Sequence, residues 1–328
     1  MVRTLRSIFA NEIDGYLGVL SQCRSEKTCS EVRYTLYDLD DYLANCETSE
    51  KTPQEDTLVR WLSSKSIKPQ SKRNLLTHVT GFSKYLVTLG YPVTIPEKPF
   101  PARDYVPYVF SDEEFSRIIE AADHIGTFEP TASFAVRCQT PLLIRVLYCT
   151  GMCSGEAIAL TWNQIDLENG IIYAHQAKNA KSGAIPVDTS LCELLKSYKM
   201  MVQSNGRCLE HVFESSNNSG VPHRKAFFRF WFGRILRAAN IHYVRKTPYE
   251  RGPCLHCFRH LFTIQSFLKS ESEGRTFEDS VPFVSTYLGH VGLTETEKYL
   301  KADYTFYTRS HQRVERHIDH LFPEVTFE

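Results

Sequence analysis

PLLIRVLYCTGMCSGEAIALTW, residues 141–162, reads as two helices meeting at a corner. PLLIRVLYCTG is an apolar helix that stops at Gly151, the residue type that most readily takes the left-handed turn closing a helix. CSGEAIALTW starts a second helix two residues later. A mainly helical protein follows, and the rest of the chain agrees with it.

Downstream, GIIYAHQA and GAIPVD have the short, β-rich character of two strands, with KNAKS turning between them, which predicts a small β-hairpin. HRKAFFRFWFGRILRAANI is a long helix with an apolar face and a basic face. CLHCFRHLFTIQSFLKS is a further helix. In the tail, SHQRVERHIDHLF carries Val314, Ile318 and Leu321 at helical spacing. Upstream, FSDEEF opens a helix: Ser111 is an N-cap and Glu114, three residues on, completes a capping box. Before it lies YPVTIPEKPFPARDYVPY, whose five prolines forbid continuous helix and favour an extended connector. The first third is helical again: EIDGYLGVLSQC, EVRYTLYDLDDYLANC, EDTLVRWLSSK and SKRNLLTHVTGFSKYLVTLGY each repeat apolar residues every three or four positions. The expected organisation is a helical domain over 1–98, a proline-rich linker over 99–109 and a second, mainly α domain with a small hairpin over 110–328. No internal repeat or low-complexity tract interrupts it.

Composition sets bounds. The 328 residues are 42% hydrophobic and 23% charged, as in ordinary globular chains with two cores. Lys and Arg number 38, and so do Asp and Glu, so net charge gives no global pull toward nucleic acid or membrane; any such grip must come from local patches. The N-terminal stretch meets Glu12 and Asp14 before an apolar core can form, which does not fit a signal peptide. No apolar run is long enough to span a bilayer. Ten cysteines scattered through a long chain read as reduced thiols, and the expected location is the cytoplasm. Cys254 and Cys257 form one C-x-x-C pair, but no second pair stands at zinc-finger spacing, and no metal is expected.

The polar residues of the second domain each have an ordinary structural reading. His256 and Arg259, three apart on a helix, could be a solvated face. Lys178 could be a turn lysine, His290 after Leu-Gly a turn residue, and Tyr299 a half-buried helix aromatic. As an ordered set they say more. LLIRVLYCTGMCSGEAIALTW, IIYAHQAKNAKSGAIPV, HCFRHLF and STYLGHVGLTETEKYL, in this order, resemble the tyrosine recombinases, also called the phage integrase family. The resemblance runs from about Phe110 to the tail, and the helical first domain with its proline connector resembles that family's core-binding domain and linker.

The resemblance implies a two-domain DNA clamp and transesterification of a DNA phosphodiester through a 3′-phosphotyrosyl link. The chemistry needs no metal, nucleotide or other cofactor. Tyr299 would be the nucleophile. Arg259 would offer a planar fork of donors to the phosphate oxygens. His256 and His290 would hydrogen-bond the phosphate or move protons, and Lys178 would protonate the leaving 5′-oxygen. His260 is read as packing or as supporting its neighbours, not as catalytic. The pattern breaks at one place. Where the family word T-G-x-R-x-x-E has an arginine, TGMCSGE has Cys153, although Glu156, the usual structural acid, is kept. Arg145 stands eight residues earlier, about 12 Å along a helix.

For holding double-stranded DNA, Arg224, Lys225, Arg229, Arg234 and Arg237 lie on or near one helix, and Lys65, Lys68, Lys72 and Arg73 lie near the start of the last helix of the first domain. Such contacts go mostly to phosphates, which position the duplex without reading it. The expected assembly is a tetramer on DNA, with or without a partner recombinase; the C-terminal helix either docks on a neighbouring protomer, as the resemblance implies, or packs on its own domain. The expected role is integration, excision or transposition of a mobile element, with chemistry attenuated at Cys153. The alternatives are a non-catalytic DNA-binding accessory subunit of the same fold and, more distantly, a topoisomerase-like nicking-closing activity.

Overall fold

The computed structural model describes residues 4–46, 55–93, 108–176, 181–215, 220–244 and 252–289. The chain divides into two compact units, Met1–Asp104 and Tyr105–Glu328. The segment between Val93 and Tyr108, which holds most of the proline connector, lies outside the described residues.

The first unit consists of α1 (Ala10–Cys23), α2 (Glu26–Ala44), α3 (Glu55–Ser63) and α4 (Pro69–Thr88). All four carry the apolar spacing seen in the sequence. Their stripes meet in one core around Phe9, Ile13, Leu36, Trp61, Leu76 and Phe82. Polar ties lock the helices in register. Asp40, itself buried, accepts the backbone N–H groups of Arg6 and Ser7, which holds the chain entering α1 against α2. Pro69 stands at the first position of α4, where its missing N–H costs nothing.

The second unit consists of α5 (Asp112–Asp123), α6 (Ile125–Phe128), α7 (Phe134–Thr150), α8 (Ser154–Ile158), β1 (Ile165–Asp166), β2 (Ile171–Gln176), β3 (Lys181–Pro186), α9 (Thr189–Ser204), α10 (Lys225–Ala238), α11 (Cys257–Ser272) and α12 (Phe277–Tyr287). The capping box at Ser111 and Glu114 forms as expected, with both reciprocal hydrogen bonds present. The core is a single cluster in which α7 is central; Leu143, Ile144, Val146 and Leu147 are wholly buried. The helix starts earlier than its apolar run: Ser133 caps it, and Pro141 lies inside. The hairpin is part of a three-stranded antiparallel sheet in the order β1-β2-β3, because two residues, Ile165 and Asp166, pair with Ile172 and Ile171. Ile172 pairs with Ile185 and Ala174 with Gly183; the buried Ile172 and Ala174 alternate with the exposed Tyr173, so one face lies on the core. No described helix is long and apolar enough to cross a membrane.

Candidate active site

The site is built on the ends of helices. α7 ends in Gly151, which takes a left-handed conformation at φ 61°. A side chain there is excluded twice over: by that φ, and because a Cβ would lie 2.4 Å from the ring of Phe262 on α11. The close approach brings the end of α7 against the first turns of α11.

Arg259 exploits this approach. It lies one turn into α11 and is only 6% exposed. Its Nη1 donates to the carbonyl of Gly151 at 2.9 Å, and its Nη2 donates to the carbonyl of Leu288 at 2.7 Å. A rigid fork suits two acceptors in fixed directions, which a flexible ammonium would not. Leu288 is the C-cap of α12, and Gly289 follows at φ 66°. Tyr287 adds a second tie: its hydroxyl donates to the carbonyl of Thr150 at 3.0 Å, and its ring stacks on Phe262 at 5.3 Å. Three segments far apart in sequence, Thr150–Gly151, Arg259 and Tyr287–Leu288, therefore meet at one guanidinium.

The other named residues fall around this point. His256 is the N-cap of α11, with helical φ and ψ, so it stands three residues ahead of Arg259 at the mouth of the helix. Its ring meets that of His260 edge to face at 4.8 Å. His260 is buried, and that burial, helped by the nearby His256 and Arg259 charges, pushes its pKa down to about 3. It is neutral at any ordinary pH, in keeping with a packing residue.

Cys153 is the N-cap of α8, and its backbone N–H reaches Oε2 of Glu156 at 3.4 Å. Glu156 thus closes the corner from the carboxylate side, which is a structural task. Arg145 faces elsewhere: its guanidinium forms a two-pronged ion pair with Asp123 at the end of α5, with N–O distances of 2.9 and 2.7 Å. Cys254 and Cys257 lie with their sulfurs 3.7 Å apart at the start of α11, and the hydrogen bond with the Cys254 thiol, then burial, raise the Cys257 pKa. Among the described residues no group of three His, Cys, Asp or Glu stands together as metal ligands. Lys178, His290 and Tyr299 lie outside the described residues; Lys178 falls in sequence between β2 and β3, and His290 directly follows Gly289.

Tyr287 presents an aromatic hydroxyl at this centre, and it is unsuited to attack. Burial raises its pKa well above the usual phenol range, and its proton is committed to a backbone carbonyl.

The sequence did not reveal that the carbonyls of Gly151 and Leu288 anchor the arginine. Glycine at a helix end was the available signal at 151, but its partner is set by tertiary contact.

Residues 109–305 match the Phage integrase family. The chain belongs to that family, the tyrosine recombinases. Related chains are similar over most of their length. A Sinorhizobium fredii protein named as an integrase/recombinase, y4rB, is 25% identical over 307 residues, covering 87% of this chain and 92% of that protein. The tyrosine recombinase XerC of Xanthomonas campestris is 22% identical over 256 residues, 77% of this chain and 71% of that one. In fold, the chain is similar to the XerH site-specific recombinase bound to a palindromic difH substrate, with a TM-score of 0.67 and 20% identity over 95% of this chain and 91% of that one. It is also similar to a lambda integrase dimer bound to a COC′ core site, with a TM-score of 0.65 and 16% identity over 97% of this chain and 99% of that one.

On the DNA-facing candidates, Arg224, Lys225, Arg229 and Arg237 are exposed. Arg234 instead pairs with Glu129 and lies over the ring of Phe230. In the first unit, Lys65 is bound to Asp38 at 2.6 Å and sits against Trp61. Lys68 is the exposed N-cap of α4, with Lys72 and Arg73 half-buried just inside it.

Proposed function

We propose that this tyrosine recombinase is an active site-specific enzyme that cuts and rejoins double-stranded DNA through a 3′-phosphotyrosyl intermediate at Tyr299. The observation that carries the reading is the buried Arg259 fork. It draws the corner at Gly151, the mouth of α11 and the end of α12 to one point, and the words assigned to phosphate chemistry in the sequence start from those three places. A guanidinium held rigidly before reaction is what stabilises developing charge on a phosphoryl group.

In this scheme the Tyr299 oxygen attacks phosphorus, forms the new P–O bond and expels the 5′-oxygen, which takes a proton from Lys178. His256 and His290 hydrogen-bond the phosphate. Because the ester energy is kept in the link, a different 5′-hydroxyl can reverse the step, which suits integration, excision or transposition of a mobile element. Arg224, Lys225, Arg229 and Arg237 contact phosphates on one side. Lys68, Lys72 and Arg73 do so from the first unit.

XerH and lambda integrase are described bound to DNA, the latter also as a tetramer on a Holliday junction. A tetramer on DNA is proposed here as well. A groove of about 890 Å³ between α11 and α12, lined by Phe262, Phe283 and Val284 among polar residues, suits the apolar Val314, Ile318 and Leu321 of a neighbouring copy.

The competing reading is a non-catalytic accessory subunit. Cys153 favours it, as does Arg145, which is committed to Asp123. The test is a nicked suicide duplex built on a sequence that the protein selects from a random pool. Wild type should become covalently attached, whereas Tyr299→Phe should bind equally well and attach to nothing. A normal adduct yield from Tyr299→Phe would remove Tyr299 as nucleophile, and bound wild type that never forms an adduct would favour the accessory subunit.

A further inference from the structure

The corner at Cys153 lacks an arginine, yet it is flanked by two cations. At Gly151, two residues before Cys153, the carbonyl holds the Arg259 guanidinium. At Gly155, two residues after it, the tip of the Lys225 side chain reaches the space a side chain would fill: a Cβ at 155 would stand 2.3 Å from Lys225 Nζ and 2.5 Å from its Cε. Four residues separate the two contacts, no more than about 14 Å even if extended, and less here because the chain turns into α8.

Lys225 has no structural reason to be there. It is the first residue of α10 and is exposed. Among the described residues its ammonium has no carboxylate partner and no hydrogen bond. The nearest acid in the corner, Glu156, is engaged in capping Cys153. An ammonium that neither pairs nor caps, and whose tip lies beside Gly155, is open to an anion that arrives from outside.

We infer that Lys225 is a catalytic residue that supplies the second positive charge to the scissile phosphate in place of an arginine at 153. The inference rests on the enzyme reading above and goes beyond it by naming the group that completes the site. Lys225 and Arg259 grip the two nonbridging oxygens from opposite ends of the 151–155 corner. Lys225 forms no bond to phosphorus and gives up no proton; it stabilises charge as the pentavalent state develops. A lysine serves such a role as a point charge, where arginine would bind in a fork.

The experiment measures single-turnover adduct formation on the suicide duplex, with DNA affinity measured in parallel. Lys225→Gln should slow adduct formation by about 10²–10³-fold, the usual loss for one preorganised donor to a developing oxyanion, while affinity falls far less. Gly155→Ala, which keeps the charge but fills its seat, should slow the step with affinity unchanged. Adding Cys153→Arg to Lys225→Gln should restore the rate. On a duplex with a neutral methylphosphonate at the scissile position, wild type and Lys225→Gln should react alike, an outcome that a merely structural lysine would not produce. Wild-type rates for Lys225→Gln, a loss no greater than its loss of affinity, or the same defect on the methylphosphonate would each overturn the inference while leaving the enzyme reading intact. Absence of adduct from bound wild type would instead bring down the enzyme reading, and this inference with it.

Discussion

Replacing Arg259 by lysine separates the fork from the charge. The guanidinium satisfies two buried carbonyls in different directions, at 2.9 and 2.7 Å. An ammonium keeps the positive charge but, as a single point without the guanidinium fork, cannot span both, so at least one carbonyl loses its partner in a buried site. A buried acceptor left unsatisfied costs about 1–3 kcal/mol. For a unit of this size each kcal/mol is about 2–4 °C in Tm, so Arg259→Lys should melt roughly 2–12 °C below wild type. Arg259→Ala, which orphans both carbonyls, should be worse. The same change should abolish detectable adduct formation, because the end of α12, which leads into His290 and Tyr299, loses its tie to α7. Thermal unfolding followed by circular dichroism, together with the suicide-duplex assay on the folded variant, gives both quantities. An unchanged Tm would refute the claim that Arg259 organises the site through backbone carbonyls.

Three further outcomes are expected. Neutralising Arg229 and Arg237 together should weaken binding to all duplexes alike and flatten log K against log salt by about 0.9 per lost phosphate contact; an unchanged slope would make this face merely solvated. Cys153→Arg should speed single-turnover cleavage with little change in affinity, and speed it more when Lys225 is also neutralised; equal rates in both backgrounds would mean that the corner is not where charge is short. His260 is pushed down to about 3 from an ordinary 6.5, so the unfolded chain takes up the proton first: its contribution is complete above pH 6.5 and is lost as pH falls toward 3. At pH 5 that loss is about 2 kcal/mol, and urea unfolding of His260→Leu should show a pH 7 to pH 5 drop smaller by that amount; an identical drop would contradict the assignment.

The helical class, the hairpin and the first unit were legible because each rests on local periodicity and local caps. Gly151 as the end of α7 and Ser111 with Glu114 at the start of α5 are visible within four residues of sequence. What failed was also local. Pro141 reads as a first helical residue, but the helix begins at Phe134, because the core packing of α7 tolerates the lost hydrogen bond. Asp188 reads as a strand end but caps α9, so that helix went unassigned. Pro282 and the polar FEDS start hid α12 in the same way. β1 has only two residues and exists through its pairing with β2, which no local pattern announces. In the site, residue identities were readable and their partners were not: that Arg145 is committed to Asp123, Arg234 to Glu129 and Lys65 to Asp38 depends on contacts between distant segments.

The way the corner is assembled explains why it tolerates a cysteine at 153. Its geometry rests on other ties than a cation at that position: Gly151 is fixed by its left-handed turn and by Phe262, the start of α8 by Glu156, and the whole to α11 and α12 by Arg259 and Tyr287. Most of these ties run to backbone atoms, which a side-chain change at 153 leaves in place. A missing arginine therefore costs the site electrostatic stabilisation without costing the fold, and the deficit can be met by any cation that reaches the same corner. Gly155 decides which one does. With a side chain at 155 the tip of Lys225 would have to move, whereas with glycine its ammonium reaches the backbone of 155. On the inference drawn for Lys225, the effects of changing Cys153, Gly155 and Lys225 on cleavage should be non-additive, as expected for residues that share a single partner.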